Sequence, residues 1–483
     1  MEQAYVKQQE RDSAFKDRYI ILGIILAGIL MSVLDGNVVG IALPTITSEF
    51  HVGLALSQWT ATAYLLTMTA TLLIFGKLSE YTGKAKVYIA GFIVFTLGSL
   101  ACGFAPGIYE LIGFRILQAI GGAMVGGIGA AIIFQVFPTA ERGRAMGYIG
   151  AVSGIGCILG PVLGGFLVEH FGWGSVFLIN VPIGIVVIAA ALKYMKVSEI
   201  RAPSLSLDWV GAVAMIVTMS SLMLLLDEIS TGLQVSMPMI IYTVAFVLGL
   251  AAFIVQETRS KAPLLDLSIF MEVRFTLPLA AMFICFTISL LMGIIAPFYF
   301  EGALHYSPSF VGILLFVPPA IMIVGAPLGG WLVDKKPWKY YSALGMGIMA
   351  LSFLLLGYFA SRLDLAMMMT SLVIYGIGES IFTSPNSTET MSALPRQKTA
   401  IASSASAVAR NLGMALGVSM GSIILSLGMP SGVFNATPST IAAVAGNGIY
   451  LAGVLCAVGA MLSWLLYARS RSKAAFMAPH TAQ

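Results

Sequence analysis

The stretch "GKLSEYTGKAK" at residues 76–86 decides how the chain is read, because it returns. "GGWLVDKKPWK" at residues 329–339 has the same layout, and Gly76 to Glu80 matches Gly330 to Asp334 at an offset of 254 residues. A second match is independent. Gly156, Gly160 and Gly164 stand four residues apart in "GIGCILGPVLGG" (154–165), and Gly413, Gly417 and Gly421 repeat that spacing 257 residues on. Chance supplies one such match in a chain with 51 glycines. Two at nearly one offset point to a duplicated unit, a common plan in membrane carriers.

Composition says what the unit is made of. The 483 residues are 58% hydrophobic and 10% charged, against about 25% charged in a soluble domain. Such a surface must face lipid. A helix needs about 20 apolar residues to cross the hydrocarbon. Fourteen runs qualify: 19–43, 55–76, 86–104, 108–136, 144–168, 174–193, 208–227, 237–256, 275–299, 309–333, 341–360, 365–388, 400–427 and 447–468. The expected fold is an all-α integral membrane protein with 14 transmembrane helices, two six-helix bundles and two inserted linker helices. Residues 1–200 hold the first bundle and 201–262 the inserted pair. Residues 263–483 hold the second bundle and a short cytoplasmic tail. The first run is too long for a cleaved signal and lacks a small-residue cleavage site after it.

The basic residues test the count. With the N-terminus cytoplasmic, Lys and Arg should crowd alternate loops. Of the 26, only Arg362 falls in an outside loop, and only Arg115 and Arg410 fall inside runs rather than at their ends or in inside segments. One missed helix would scramble this alternation, so both termini are expected inside a cell (plasma) membrane. The net charge of +4 is then a topology signal facing lipid headgroups. No basic face with interleaved aromatics suggests nucleic acid. There is no phosphate-binding glycine loop and no His/Cys metal set, so no cofactor, metal or enzymatic activity is expected. Cys102, Cys157, Cys285 and Cys456 read as small buried hydrophobes. The partners expected are a small-molecule substrate, protons and membrane lipids, with the chain acting as a monomer.

Charges inside the runs are costly, roughly 2.5–3.5 kcal/mol each at a helix centre on insertion scales, and usually functional. Asp35, Arg115, Glu379 and Arg410 qualify. Asp35 lies roughly 13 Å and Arg115 roughly 10 Å below the outer face at about 1.5 Å per residue. The first and fourth runs thus bring an acid and a base to one level. A nearby cation and desolvation push a carboxyl's proton affinity in opposite directions, so Asp35 is a candidate proton carrier; the alternative is a fixed ion pair. Gln118, one turn from Arg115, can contact proton site or substrate. Glu379 can take a second proton, meet a cationic substrate, or pair with Arg410. Glycine ridges let backbones approach closely, and with Pro161 the ridge in the fifth run can pack, pivot or seal two bundles.

Together these residues resemble the major facilitator superfamily, and within it the fourteen-helix drug:proton antiporters. "LDGNVVGIALP" (34–44) is similar to that family's first-helix motif, and its aspartate corresponds to Asp35. "GKLSEYTGKAK" resembles the signature loop after the second helix, "RILQAIGGA" (115–123) the fourth-helix motif, and "GIGCILGPVLGG" the fifth-helix motif of antiporters. "FLINVPIG" (177–184) and "ARNLGMALG" (409–417) are also similar. Glu80 stands where Asp is usual, Tyr81 where a base is, and Asn37 where Thr is common.

The resemblance implies proton-coupled export of small lipophilic or cationic compounds by alternating access. Proton coupling falls to Asp35, Arg115 and Glu379, and the substrate cavity to Asn37, Gln118, Glu379 and Arg410. Gating or packing falls to Gly76, Glu80, Gly83, Gly156, Gly160, Pro161, Gly164, Gly165 and Asp334. A symporter or uniporter of a small metabolite is the rival within transport. A non-transporting sensor or scaffold is a remote one, since the longest loops run only to about 20 residues.

Overall fold

The computed structural model describes residues 16–196, 208–231, 235–260, 263–336, 338–360, 365–429 and 437–476. Fourteen helices among them are long and apolar enough to cross a membrane. They are α1 (Arg18–Glu49), α2 (Leu54–Thr82), α3 (Lys84–Gly103), α4 (Ile108–Val136), α5 (Arg142–Phe171), α6 (Ser175–Tyr194) and α7 (Trp209–Thr231). The rest are α8 (Met237–Arg259), α9 (Val273–Pro297), α10 (Pro308–Lys335), α11 (Tyr341–Ala360), α12 (Leu365–Ser392), α13 (Thr399–Gly428) and α14 (Pro438–Phe476). No strand occurs among the described residues. In hydrocarbon every backbone N–H and C=O must be satisfied inside the protein, and a helix does this within its own segment.

The helices overrun the apolar runs. α1 continues through Pro44 to Glu49, and α14 begins at Pro438 rather than 447. Apolar counting sees only the part inside the hydrocarbon, whereas a helix carries on until its backbone groups find other partners. Two helices are interrupted. α4 breaks between Gly126 and Gly129, and the Ser404 hydroxyl on α13 donates to the released Gly127 carbonyl at 3.1 Å. α6 is broken at Ile179. The α2–α3 turn needs Gly83, whose φ of 107° lies in the left-handed region. The proposed boundary at 200/201, the last residue of the inserted pair (Ala262), and Lys7, Arg11, Arg201, Lys261 and Arg362 used for topology, lie outside the described residues.

Glycines place the helices. A Cβ on Gly156 or Gly160 would stand 2.7 Å from Val33 or Asn37 of α1, and one on Gly164 would stand 3.1 Å from Val38. In the later half Gly413 faces the Phe283 carbonyl, Gly417 the Thr287 carbonyl and Gly421 the Ile294 side chain, all on α9. The repeated ridge therefore seats α5 on α1 and α13 on α9. It is not the surface joining the halves, as a seal between bundles would require. Gly165 has nothing within 4 Å and takes no part in the packing.

A different row on α5 crosses between halves. Gly143 faces the Gly330 carbonyl, Gly147 the Ala326 carbonyl and Gly154 the Pro319 carbonyl of α10. Its counterpart is α2 against α13, where Gly76 faces Ser404 and Ala400, and Asn411 Nδ2 donates to Thr69 Oγ1 at 3.1 Å. The inserted α7 and α8 pack together at Gly249 and Thr218. α7 lies along α2 and α13, with the Ser419 hydroxyl donating to the Leu226 carbonyl at 2.6 Å. Asp208 staples the pair, accepting from Gly211 N at 2.8 Å and from Gln256 Nε2 at 2.9 and 3.0 Å.

Candidate functional site

Asp35 is 2% exposed in the middle of α1. Its Oδ2 accepts from Arg115 Nη1 of α4 at 2.7 Å. Its Oδ1 accepts from Gln118 Nε2 at 2.9 Å and from Asn180 Nδ2 of α6 at 3.4 Å. Arg115 also donates to Gln118 Oε1 at 2.6 Å and, through Nε, to the Thr60 carbonyl of α2 at 2.8 Å. Its guanidinium lies 4.0 Å from the centre of the Tyr64 ring, an arrangement in which the ring face attracts the cation. Gln118 Nε2 also lies 2.8 Å from Ser99 Oγ of α3. Four helices besides α1 thus feed one carboxylate cluster. Buried charges survive only when paired and hydrogen-bonded in this way.

The sequence placed Asp35, Arg115 and Gln118 within reach of one another, and the structure brings them together. It adds Thr60, Tyr64, Ser99 and Asn180. Asn180 lay inside the quoted "FLINVPIG" as a buried amide in an apolar run, a signal that was available. Thr60 acts through its backbone, which no side-chain motif announces. Asn37 is on a different face of α1: it is exposed, donates to the Val33 carbonyl at 2.7 Å, and packs over Gly160.

The later half is built differently. Ser289 on α9 and Tyr375 on α12 share a hydroxyl hydrogen bond of 2.9 Å. Glu379, one turn further along α12, is half-buried with these two as polar neighbours. Arg410 is half-buried on α13, its guanidinium 5.9 Å from the Phe286 ring centre. Among the described residues no ion pair joins Glu379 to Arg410, so the fixed-bridge alternative does not hold. The cysteines are free; three are buried, but Cys157 is half-exposed, against expectation.

The loop motifs also differ. Asp334 accepts from the backbone N–H groups of Gly143 and Arg144 at 2.8 Å each, capping α5 from the other half, and Ser384 donates to the Gly143 carbonyl at 2.7 Å. Glu80, its repeat partner, lies 3.6 Å from Lys77 Nζ, and its buried Oε1 has no hydrogen-bond partner. Pro161 lies inside α5 without breaking it.

The family model described as Major Facilitator Superfamily matches residues 25–418 and 277–480. The chain is similar to the riboflavin transporter RibZ of Clostridioides difficile (strain 630), 32% identical over 93% of this chain and 97% of that one. It is also 32% identical to the multidrug transporter protein MdtP of Bacillus subtilis (strain 168), over 86% of this chain and 76% of that one. Among solved structures, the proton:xylose symporter XylE shares the fold, with a TM-score of 0.64 at 13% identity over 92% of this chain and 95% of that one.

Proposed function

Since the chain belongs to the Major Facilitator Superfamily and is a multi-pass transporter of small molecules rather than an enzyme, we propose that it is a proton-coupled exporter of lipophilic or cationic compounds. It is read as a drug:proton antiporter of the fourteen-helix type, in a cell membrane, with both termini cytoplasmic. One observation carries this reading: the Asp35 carboxylate is buried against Arg115 with Gln118 and Asn180 on its other oxygen. A proton and a guanidinium compete for that carboxylate, because protonation removes the charge that holds the pair. Five helices meet at the pair, so exchanging its partner shifts their relative packing. In this reading Asn37 and Glu379 face the substrate, Glu379 selects cations, and Arg410 lines the same cavity.

The cross-half contacts of Asp334, Gly143 and Gly147 lie at the end carrying the basic loops. Alternating access then consists of separating this end while the other end closes. The likeness to RibZ favours a second reading, a carrier of one metabolite. Direction of transport separates the two. In proteoliposomes with only a pH difference imposed, the exporter reading expects accumulation of a lipophilic cation in exchange for protons. Asp35→Asn should abolish that accumulation while substrate binding and folding persist. Accumulation by Asp35→Asn under a pH difference alone would sink the proton role of Asp35. Co-directional movement of substrate and protons would establish the metabolite reading.

A further inference from the structure

A groove of about 500 Å³ opens between the start of α11 and the end of α14, lined among others by Trp338, Tyr340, Leu344, Gly347, Met461 and Trp464. Its origin is local. Further along, α11 and α14 are knitted by glycines: Gly357 meets Tyr450, Gly453 meets Phe353, and Gly459 meets Met346. Beyond Gly459, α14 lines the groove with Ala460, Met461 and Trp464. Gly347 has nothing within 4 Å of where a Cβ would stand, so its missing side chain is part of the groove.

The groove lies on the outer surface of two membrane-spanning helices, so the bilayer covers it. From Tyr341 to Leu351 it runs roughly 15 Å at the usual helical rise, which is about one leaflet of hydrocarbon. Its mouth is a headgroup site in composition. The Trp338 ring stands 5.3 Å from that of Tyr341 and 5.7 Å from that of Tyr340, and such rings settle at the headgroup level. Lys336 and Lys339 are exposed beside them, and no acid pairs with either among the described residues. Lys335 is turned to Trp331, 5.1 Å from the ring centre. Basic groups at the end of an apolar cleft between helices suit a phosphate-bearing headgroup.

We propose that this groove is a binding site for one anionic phospholipid of the membrane, its acyl chain lying along Gly347 between α11 and α14 and its phosphate held by Lys336 and Lys339. The test is native mass spectrometry of the full-length protein in detergent, with phosphatidylglycerol or phosphatidylcholine added at equal concentration. The wild type should retain phosphatidylglycerol preferentially. Lys336→Gln with Lys339→Gln should cut that preference at least about fivefold, each lysine near a charged surface being worth a few-fold. Gly347→Phe, at a position where an added Cβ meets nothing within 4 Å, should fill the groove and remove the bound lipid of either kind. Gly23→Phe, also at a position with open space around it, should leave it in place, and all variants should melt in detergent as the wild type does. Equal retention of the two lipids by the wild type overturns the proposal. So does phosphatidylglycerol retained unchanged by Gly347→Phe, or a dimer that forms through this face in the lipid's place.

Discussion

The two halves share a backbone plan and disagree in their polar chemistry. Ser289 stands at the same repeat offset from Asp35 as the loop motifs show, 254 residues, and Tyr375 stands 257 residues from Gln118, the offset of the glycine ridges. The corresponding hydrogen bonds are both 2.9 Å long. One site is a closed ion pair with every helix around it contributing; the other is a neutral hydroxyl pair beside a lone carboxylate, Glu379. The same difference recurs at the junctions between halves. α5 meets α10 through three glycines against carbonyl groups, with Asp334 capping the end of the row, whereas α2 meets α13 through one glycine, Gly76, against Ser404 and through the Asn411–Thr69 hydrogen bond. Close backbone packing tolerates no added atom, while side-chain hydrogen bonds can be exchanged. The repeated framework presents its geometry twice, and among the described residues the buried Asp35–Arg115 ion pair occurs in one copy.

The comparison can be broken most severely at Arg115. Arg115→Ala leaves Asp35 buried without its cation, and removing one partner of a buried pair costs about 3–5 kcal/mol. The melting midpoint in detergent should fall more for this variant than for any substitution at Ser289 or Tyr375; an equal loss at Tyr375 would erase the contrast between halves.

Gly160→Leu comes next. Overpacking costs typically 1–3 kcal/mol, and the added side chain would meet Asn37 on α1. Transport should be largely lost with normal membrane insertion. Gly165→Leu, five residues on with open space around it, should transport at near wild-type rates. Matching losses in the two would mean that the ridge direction is misjudged.

Asp334 and Glu80 sharpen the contrast between the loops. Asp334→Ala removes a carboxylate cap worth about 0.5–2 kcal/mol and releases α5 at the junction. A cysteine pair reporting on separation of α5 and α10 should crosslink less readily in this variant. Glu80→Ala loses a 3.6 Å contact with Lys77 and the weaker attraction of Lys84 and Lys398 but no bond to α13, and should leave crosslinking between α2 and α13 nearly unchanged.

The smallest effect concerns Lys398 and Asp266, which pair at 2.7 Å near the start of α13. The Lys398 ammonium holds the Asp266 carboxyl down to about 2. A lowered folded-state pKa stabilises above the ordinary carboxyl value of about 3.9, and the gain is lost as pH falls through about 2. Both side chains are more than a third exposed, so solvent screening keeps the gain below about 1 kcal/mol. Lys398→Ala should therefore melt slightly lower at pH 7, with the gap closing toward pH 2 and at high salt.

Much of this was legible from residues alone. Fourteen helices followed from apolar length, because hydrocarbon permits no other satisfied backbone for such a chain. Asp35 and Arg115 announced themselves by their insertion cost, and the equal depth inferred for them is consistent with their contact. What could not be read was direction around a helix axis. α5 carries two glycine rows, and spacing alone does not say which faces α1 and which faces α10. Asn37 and Asp35 are two residues apart, yet one is exposed and the other buried. Nor does sequence reveal that Glu80 and Asp334, aligned in the repeat, make different bonds, since an extra methylene is enough to change what a carboxylate reaches.

The inserted pair has a thermodynamic consequence. α7 lies along one junction only, α2 with α13, so that flank is walled by protein. At the other, α5 and α10 show Val162, Phe166, Val324 and Leu328 on their outer faces. In the alternating-access reading proposed above, parting of the halves trades buried surface for contact with a neighbouring helix at one edge and for lipid at the other. On that reading, bilayer thickness and stiffness act on a single edge of the molecule, and the work of opening is unequal between two junctions that the repeat would have made alike.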